Sequence, residues 1–161
     1  MKCITAEPII AAAFAPFGDV LTAPEAPGRI YYDDRLANGR AGVPCSLAIT
    51  NSPPTGPLPL TVVQMERHAF SSQSFVPLVA DAYLVVVAPA DAQGQPDTDQ
   101  VRAFVVPGDV GITYGQGVWH HPMVVLDTPA RFAVMMWRDG TADDEEFVQL
   151  ATPFEVAVPG R

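Results

Sequence analysis

Seventeen prolines and twelve glycines cut this chain of 161 residues into short pieces. Proline fixes φ and removes a backbone donor, and glycine weakens helix interiors, so long helices have little room to form. The pieces between them are rich in Val, Ile, Phe and Tyr, which suit a pleated, half-buried surface. Candidate strands are Arg29–Tyr32, Val43–Thr50, Leu60–Arg67, Ala82–Ala88, Val101–Val106, Gly111–Tyr114, Met123–Leu126 and Arg131–Trp137. Many short strands with turn signals between them predict an all-β sandwich or barrel. One short helix is expected around Ile10–Pro16, ended by Gly18. Ala142–Leu150 reads as a second helix, or from Glu145 onward as a closing strand. Ser52–Pro59 and Ala90–Asp99 read as loops too short to separate domains, so residues 1–161 are expected to form one domain.

Composition narrows the partners. Hydrophobic content of 48% supports a packed core. A formal charge of -9 argues against nucleic acid or an anionic membrane as partner, since both need a basic face. Lys2 is the only lysine, which leaves Schiff-base chemistry almost no candidate. Cys3 and Cys45 cannot build a disulfide framework. No secretory signal is visible, and the longest apolar run, Tyr83–Ala90, is too short to span a bilayer. A soluble cytoplasmic protein is expected. The acidic cluster Asp143–Glu146 reads as a solvated surface.

All three histidines fall in two short segments. In the first, strand alternation puts Val62, Gln64, Glu66 and His68 on one face, with Thr61, Val63, Met65 and Arg67 on the other. Gln73 follows a Ser71-Ser72 turn and can fold back beside His68. In the second, Gly108-Asp109 and Gly115-Gln116-Gly117 read as tight turns ahead of His120 and His121. Those two neighbours face opposite sides, and His120 is the one expected inward. Imidazole suits both proton transfer at neutral pH and transition-metal binding. Arg102 shares a face with Phe104 and is suited to gripping a carboxylate bidentately. Trp119 would shield the rim of a cavity, and Tyr31 and Tyr32 would close one.

The segment Glu66-x-His68-x4-Gln73, the Gly108-Asp109 turn and Gly117-x-x-His120 resemble the two motifs of the cupin superfamily. There the first motif supplies His-x-His and a Glu, and the second a last His, together binding a divalent metal. Here Glu66 stands in the first His place and Gln73 in the Glu place, and the Gly-rich turn carries one extra residue. A closer resemblance is to the ureidoglycolate lyase family, also called ureidoglycolate hydrolase. It rests on Glu66-Arg67-His68 with Ser72-Gln73-x-Phe75-x-Pro77, on Arg102-Ala103-Phe104, and on Val118-Trp119-His120-His121-Pro122. Phe14-x-x-Phe17-Gly18-Asp19-Val20 and Leu58-Pro59-Leu60 resemble it too.

The resemblance implies a cupin-type, jelly-roll-like β-barrel with one or two short helices. It implies a homodimeric lyase that splits ureidoglycolate into glyoxylate and urea, late in purine and allantoin degradation. His68, His120 and Glu66 would be catalytic, and Arg102, Gln73, Tyr32 and Trp119 would touch the small anionic substrate. His68, Gln73 and His120 would hold one divalent metal of nickel, manganese or zinc type. Two other readings fit the same residues. One is a different cupin enzyme, a small-sugar isomerase or metal-dependent dioxygenase. The other is a non-enzymatic cupin that binds small α-hydroxy or α-keto acids.

Overall fold

Strands make up almost all of the regular structure in the computed structural model, which describes residues 1–161. They run β1 (Lys2–Thr5), β2 (Glu7–Pro8), β3 (Gly18–Leu21), β4 (Cys45–Ser52), β5 (Leu60–Arg67), β6 (Gln73–Val79) and β7 (Ala82–Ala88). After them come β8 (Arg102–Pro107), β9 (Gly111–Tyr114), β10 (Trp119–His120), β11 (Val124–Leu126), β12 (Ala130–Trp137) and β13 (Glu146–Ala157). One helix, α1 (Ala11–Phe14), lies between β2 and β3.

The larger sheet has the order β1-β13-β5-β10-β7-β8-β2, with β11 also paired to β7. Its two edge strands are consecutive in sequence and joined through Ala6. The N-terminal segment therefore pairs with β13 on one side and β8 on the other, and curls the sheet into a nearly closed barrel. A barrel needs no exposed edge, which removes a route to unwanted pairing. The smaller sheet, β3-β9-β6-β12-β4, packs against the outside of this barrel.

Each compartment has its own core. Leu60, Val62, Met65, Trp119 and Phe154 fill the barrel with other apolar residues. Phe14, Phe104, Ile112, Tyr114 and Phe132 pack between barrel and second sheet. β7 serves both: Leu84, Val86 and Ala88 face inward, and Tyr83, Val85 and Val87 face the second sheet. That double burial explains its unbroken apolar sequence. Burying each such side chain stabilises the fold by roughly 1.5–3 kcal/mol.

The expected bounds hold for Leu60–Arg67, Ala82–Ala88 and Gly111–Tyr114. Two expectations are corrected and one open alternative is decided. Arg29–Tyr32 forms no strand; this segment crosses the second sheet as irregular chain. Of the two readings of Ala142–Leu150, the closing strand is the one formed, because Glu146–Gln149 and Phe154–Val156 pair with β5. Strict alternation along β5 also fails: the β5–β13 register shifts between Gln149 and Phe154, and Val62 joins Met65 inside the barrel.

Candidate active site

β10 is only two residues long, yet it is wedged between β5 and β7. His120 thereby sits directly opposite Glu66 on one side and Val87 on the other. Directly opposed residues project to the same face, so Glu66 and His120 are cross-strand neighbours facing the second sheet. His68 follows the end of β5. The Gly117 N–H donates to the His68 carbonyl at 2.8 Å, which fastens the glycine turn onto the first histidine segment. Gly117 takes φ 74, a left-handed conformation that glycine adopts without strain. Gln73 opens β6 in the second sheet, opposite Tyr114 and Met136. The site thus draws on both sheets.

Both rings are held from behind by backbone. His68 Nδ1 bonds the Asp144 carbonyl at 3.1 Å, and His120 Nδ1 bonds the Val118 carbonyl at 2.9 Å. A carbonyl only accepts, so each Nδ1 carries a hydrogen and the Nε2 of each ring is the atom left to face the site. His120 is also stacked on Tyr114, with ring centroids 4.1 Å apart. Its Nε2 lies 3.4 Å from Glu66 Oε1. The two imidazole rings are 5.6 Å apart. His68 Nε2, His120 Nε2, Gln73 Oε1 and Tyr114 OH are all buried without a hydrogen-bond partner. Buried polar atoms left open are uncommon in folded proteins. Four of them here belong to residues of this one region, Gln73 paired with Tyr114 across β6 and β9 and His120 stacked on Tyr114.

Glu66, His68 and His120 bring one donor atom each to within 4.8 Å of one another. These donors fit a first-row divalent metal, Gln73 lines the same cleft as Glu66 and His68, and the carbonyl behind each histidine is a common arrangement at such centres. Glu66, His68 and Gln73 line a cleft of about 310 Å³ together with Ser46, Thr50, Met136, Arg138, Glu145 and Phe147.

Burial by itself would push the Glu66 carboxyl up, but the His120 ring beside it, helped by His68 and His121, outweighs this and holds it below its ordinary value. Burial, with His120 adding to it, pulls the His68 imidazole down. Burial does the same to His121. Burial, then Tyr83 and Glu66, push the Tyr114 hydroxyl up, so it stays protonated. At neutral pH the site therefore presents an ionised Glu66 and a neutral His68.

These shifts predict how the metal-free protein responds to acid. His68 and His121 bind a proton more readily unfolded than folded, so stability falls as pH drops below their ordinary 6.5. The contribution of Glu66 is present above its ordinary 4.5 and is lost as pH falls through the lowered value. Melting temperatures of chelator-treated protein should decline from about pH 7 to about pH 5 and again below about pH 4. A flat profile across both ranges would contradict the assignment.

The chain matches the model of a family described as ureidoglycolate lyase over residues 1–157. The chain belongs to the ureidoglycolate lyase family. A protein named ureidoglycolate lyase from Burkholderia mallei (strain NCTC 10229) is 39% identical over 145 residues, 84% of this chain and 82% of that one. Another of that name, from Pseudomonas fluorescens (strain SBW25), is 38% identical over 160 residues, covering 92% and 93%. Among solved structures, a dTDP sugar isomerase from Desulfovibrio desulfuricans G20 aligns with a TM-score of 0.51 and 15% identity over 84% of each chain. That likeness is one of fold, and it is consistent with the expected cupin-type architecture.

Of the residues expected from the family resemblance, the structure gathers Glu66, His68, Gln73 and His120. Three others stand elsewhere. Trp119 alternates away from His120 into the barrel core, where its Nε1 donates to the Gly94 carbonyl at 3.1 Å and Arg67 lies 4.5 Å over its ring. Tyr32 lies on the outer face of the second sheet beside Leu47 and Met135, and its hydroxyl donates to the Thr22 carbonyl at 3.0 Å. Arg102 is on the expected face, but it is closed by Glu7 at 2.5 Å and lines a separate cleft with Phe17 and Val118. Arg67, read as facing away from His68, pairs with Glu146 at 2.7 Å.

Two contributors were not visible in the sequence pattern. Tyr114 had a strand signal only, with nothing to mark it as the platform for His120. Asp144 belongs to the acidic cluster read as solvated, and that reading is corrected: it is 5% exposed. Its carbonyl holds His68, and its carboxylate accepts the Phe70 N–H at 2.6 Å.

Proposed function

We infer that this chain is a lyase that cleaves ureidoglycolate into glyoxylate and urea. Family membership supplies the reaction, and the observation that carries it to particular atoms is the convergence of Glu66, His68 and His120 within 4.8 Å. The sugar-isomerase likeness reaches the fold alone and does not favour isomerase chemistry.

In ureidoglycolate one carbon carries a hydroxyl, a carboxylate and the urea nitrogen. Cleavage removes the hydroxyl proton, turns the C–O bond into a carbonyl, breaks the C–N bond and returns a proton to the leaving nitrogen. His68, Gln73 and His120 would hold one divalent metal, of nickel, manganese or zinc type. When bound, such an ion supplies positive charge that lowers the pKa of a coordinated hydroxyl and draws in a carboxylate. Glu66 is ionised at neutral pH and stands at the edge of this donor set, so it takes the hydroxyl proton and hands it to the urea nitrogen. Positioned proton transfer of this kind contributes about 10²–10⁴ in rate. The carbonyls of Asp144 and Val118 fix both rings, and Tyr114 keeps His120 in plane.

The proposal extends to one catalytic domain over residues 1–161, acting as a homodimer in the cytoplasm within purine and allantoin breakdown. No helix is long and apolar enough to cross a membrane. Supplied with ureidoglycolate, the purified protein should form glyoxylate at a turnover of about 1–10³ s⁻¹ without consuming oxygen. Turnover no faster than the spontaneous reaction, or oxygen uptake in step with product, would overturn the reading.

A further inference from the structure

One guanidinium faces the cleft. Val134, Met136 and Arg138 alternate along the inner face of β12 and its continuation, and all three line the cleft with Glu66, His68 and Gln73. The Arg138 N–H donates to the Pro44 carbonyl at 3.1 Å, extending the β12–β4 ladder one step beyond the Trp137–Cys45 pair. Its backbone is therefore carried by the sheet.

Its side chain is poorly occupied. The one ionic contact of Arg138 is Glu145 Oε1 at 3.9 Å, beyond hydrogen-bonding reach, and the side chain is 45% exposed. Arginines elsewhere in the chain are closed off by comparison. Arg67 meets Glu146 at 2.7 Å, Arg40 meets Asp139 at 2.8 Å, and Arg102 meets Glu7 at 2.5 Å. A chain of net charge -9 repels small anions at long range, so an anionic substrate has to be met by local positive charge. The planar guanidinium fork matches a carboxylate with two parallel hydrogen bonds.

We propose that Arg138 binds the carboxylate of the substrate, and that Glu145 is the resting counter-charge which this carboxylate displaces. The role expected of Arg102 passes to Arg138. The identity of the substrate rests on the lyase reading, while the chemistry asks only for a small α-hydroxy carboxylate.

The test uses the full chain carrying its metal, with ureidoglycolate as substrate and glycolate as a probe that has the hydroxyl and carboxylate but nothing to expel. Arg138→Gln should raise KM for ureidoglycolate roughly 10- to 100-fold with kcat within about threefold, and weaken glycolate binding by calorimetry to a similar degree. Arg138→Lys should recover part of both, since it keeps the charge and loses the fork. Glu145→Gln should lower KM, which gives a readout should Arg138→Gln fold poorly. An unchanged KM and glycolate affinity in Arg138→Gln, beside an active parent, would overturn the proposal and leave the lyase reading standing. A KM rise of equal size in Arg102→Gln, or a raised KM in Glu145→Gln, would also overturn it. A parent that binds glycolate through Arg138 yet cleaves no ureidoglycolate would sink the lyase reading and leave this assignment in place.

Discussion

Replacing His120 by alanine is expected to lower kcat/KM for ureidoglycolate by about 10²–10⁴-fold. No other residue joins so many parts of the site. Its backbone bridges β5 and β7, its ring covers Tyr114 at 4.1 Å, and its Nε2 stands 3.4 Å from Glu66. Alanine leaves a void against Tyr114 and takes from the Glu66 carboxylate the imidazole 3.4 Å away, leaving His68 as its remaining partner in the donor set. The loss of packing should also destabilise folding by on the order of 2 kcal/mol, readable in urea denaturation. His120→Gln, which fills more of the void, should recover stability more than it recovers turnover. Near-parental activity in the alanine variant would remove His120 from the chemistry.

Stripping divalent metal with a chelator is expected to reduce ureidoglycolate cleavage at least about 10²-fold, with recovery at about one equivalent of metal per chain. The expectation follows from the open Nε2 atoms of His68 and His120 and the open oxygen of Gln73. His68→Ala should bind metal more weakly and regain little activity on add-back. Glu66→Gln separates holding the metal from moving the proton: it should retain metal and lose turnover. Full activity after rigorous metal removal would exclude the metal-assisted account and leave acid–base chemistry by Glu66 and the histidines alone.

Local pattern carried much of this architecture. β7 reads from its apolar run, and β9 from Gly111 to Tyr114, because flanking turns and side-chain type decide both. The glycine turn before His120 was legible because its role depends on backbone freedom at Gly117. What stayed hidden depends on partners distant in sequence. β1 and β2 are strands only because β13 and β8 accept them, and a two-residue β10 has no periodicity of its own. The face of Arg102 is legible locally, because it alternates with Phe104 along β8. Nothing local says that the N-terminal segment brings Glu7 to neutralise it. Asp144 misled for the same reason: an acidic run looks solvated until the fold lays its backbone against His68.

Elimination breaks the C–N bond of ureidoglycolate and leaves urea whole. The nitrogen balance of the reaction tests it most directly. With the purified, metal-loaded protein, urea and glyoxylate should appear in equal amounts at every time point, with no ammonia. Ammonia released in step with glyoxylate would mean that the urea group itself is hydrolysed, and would contradict the account.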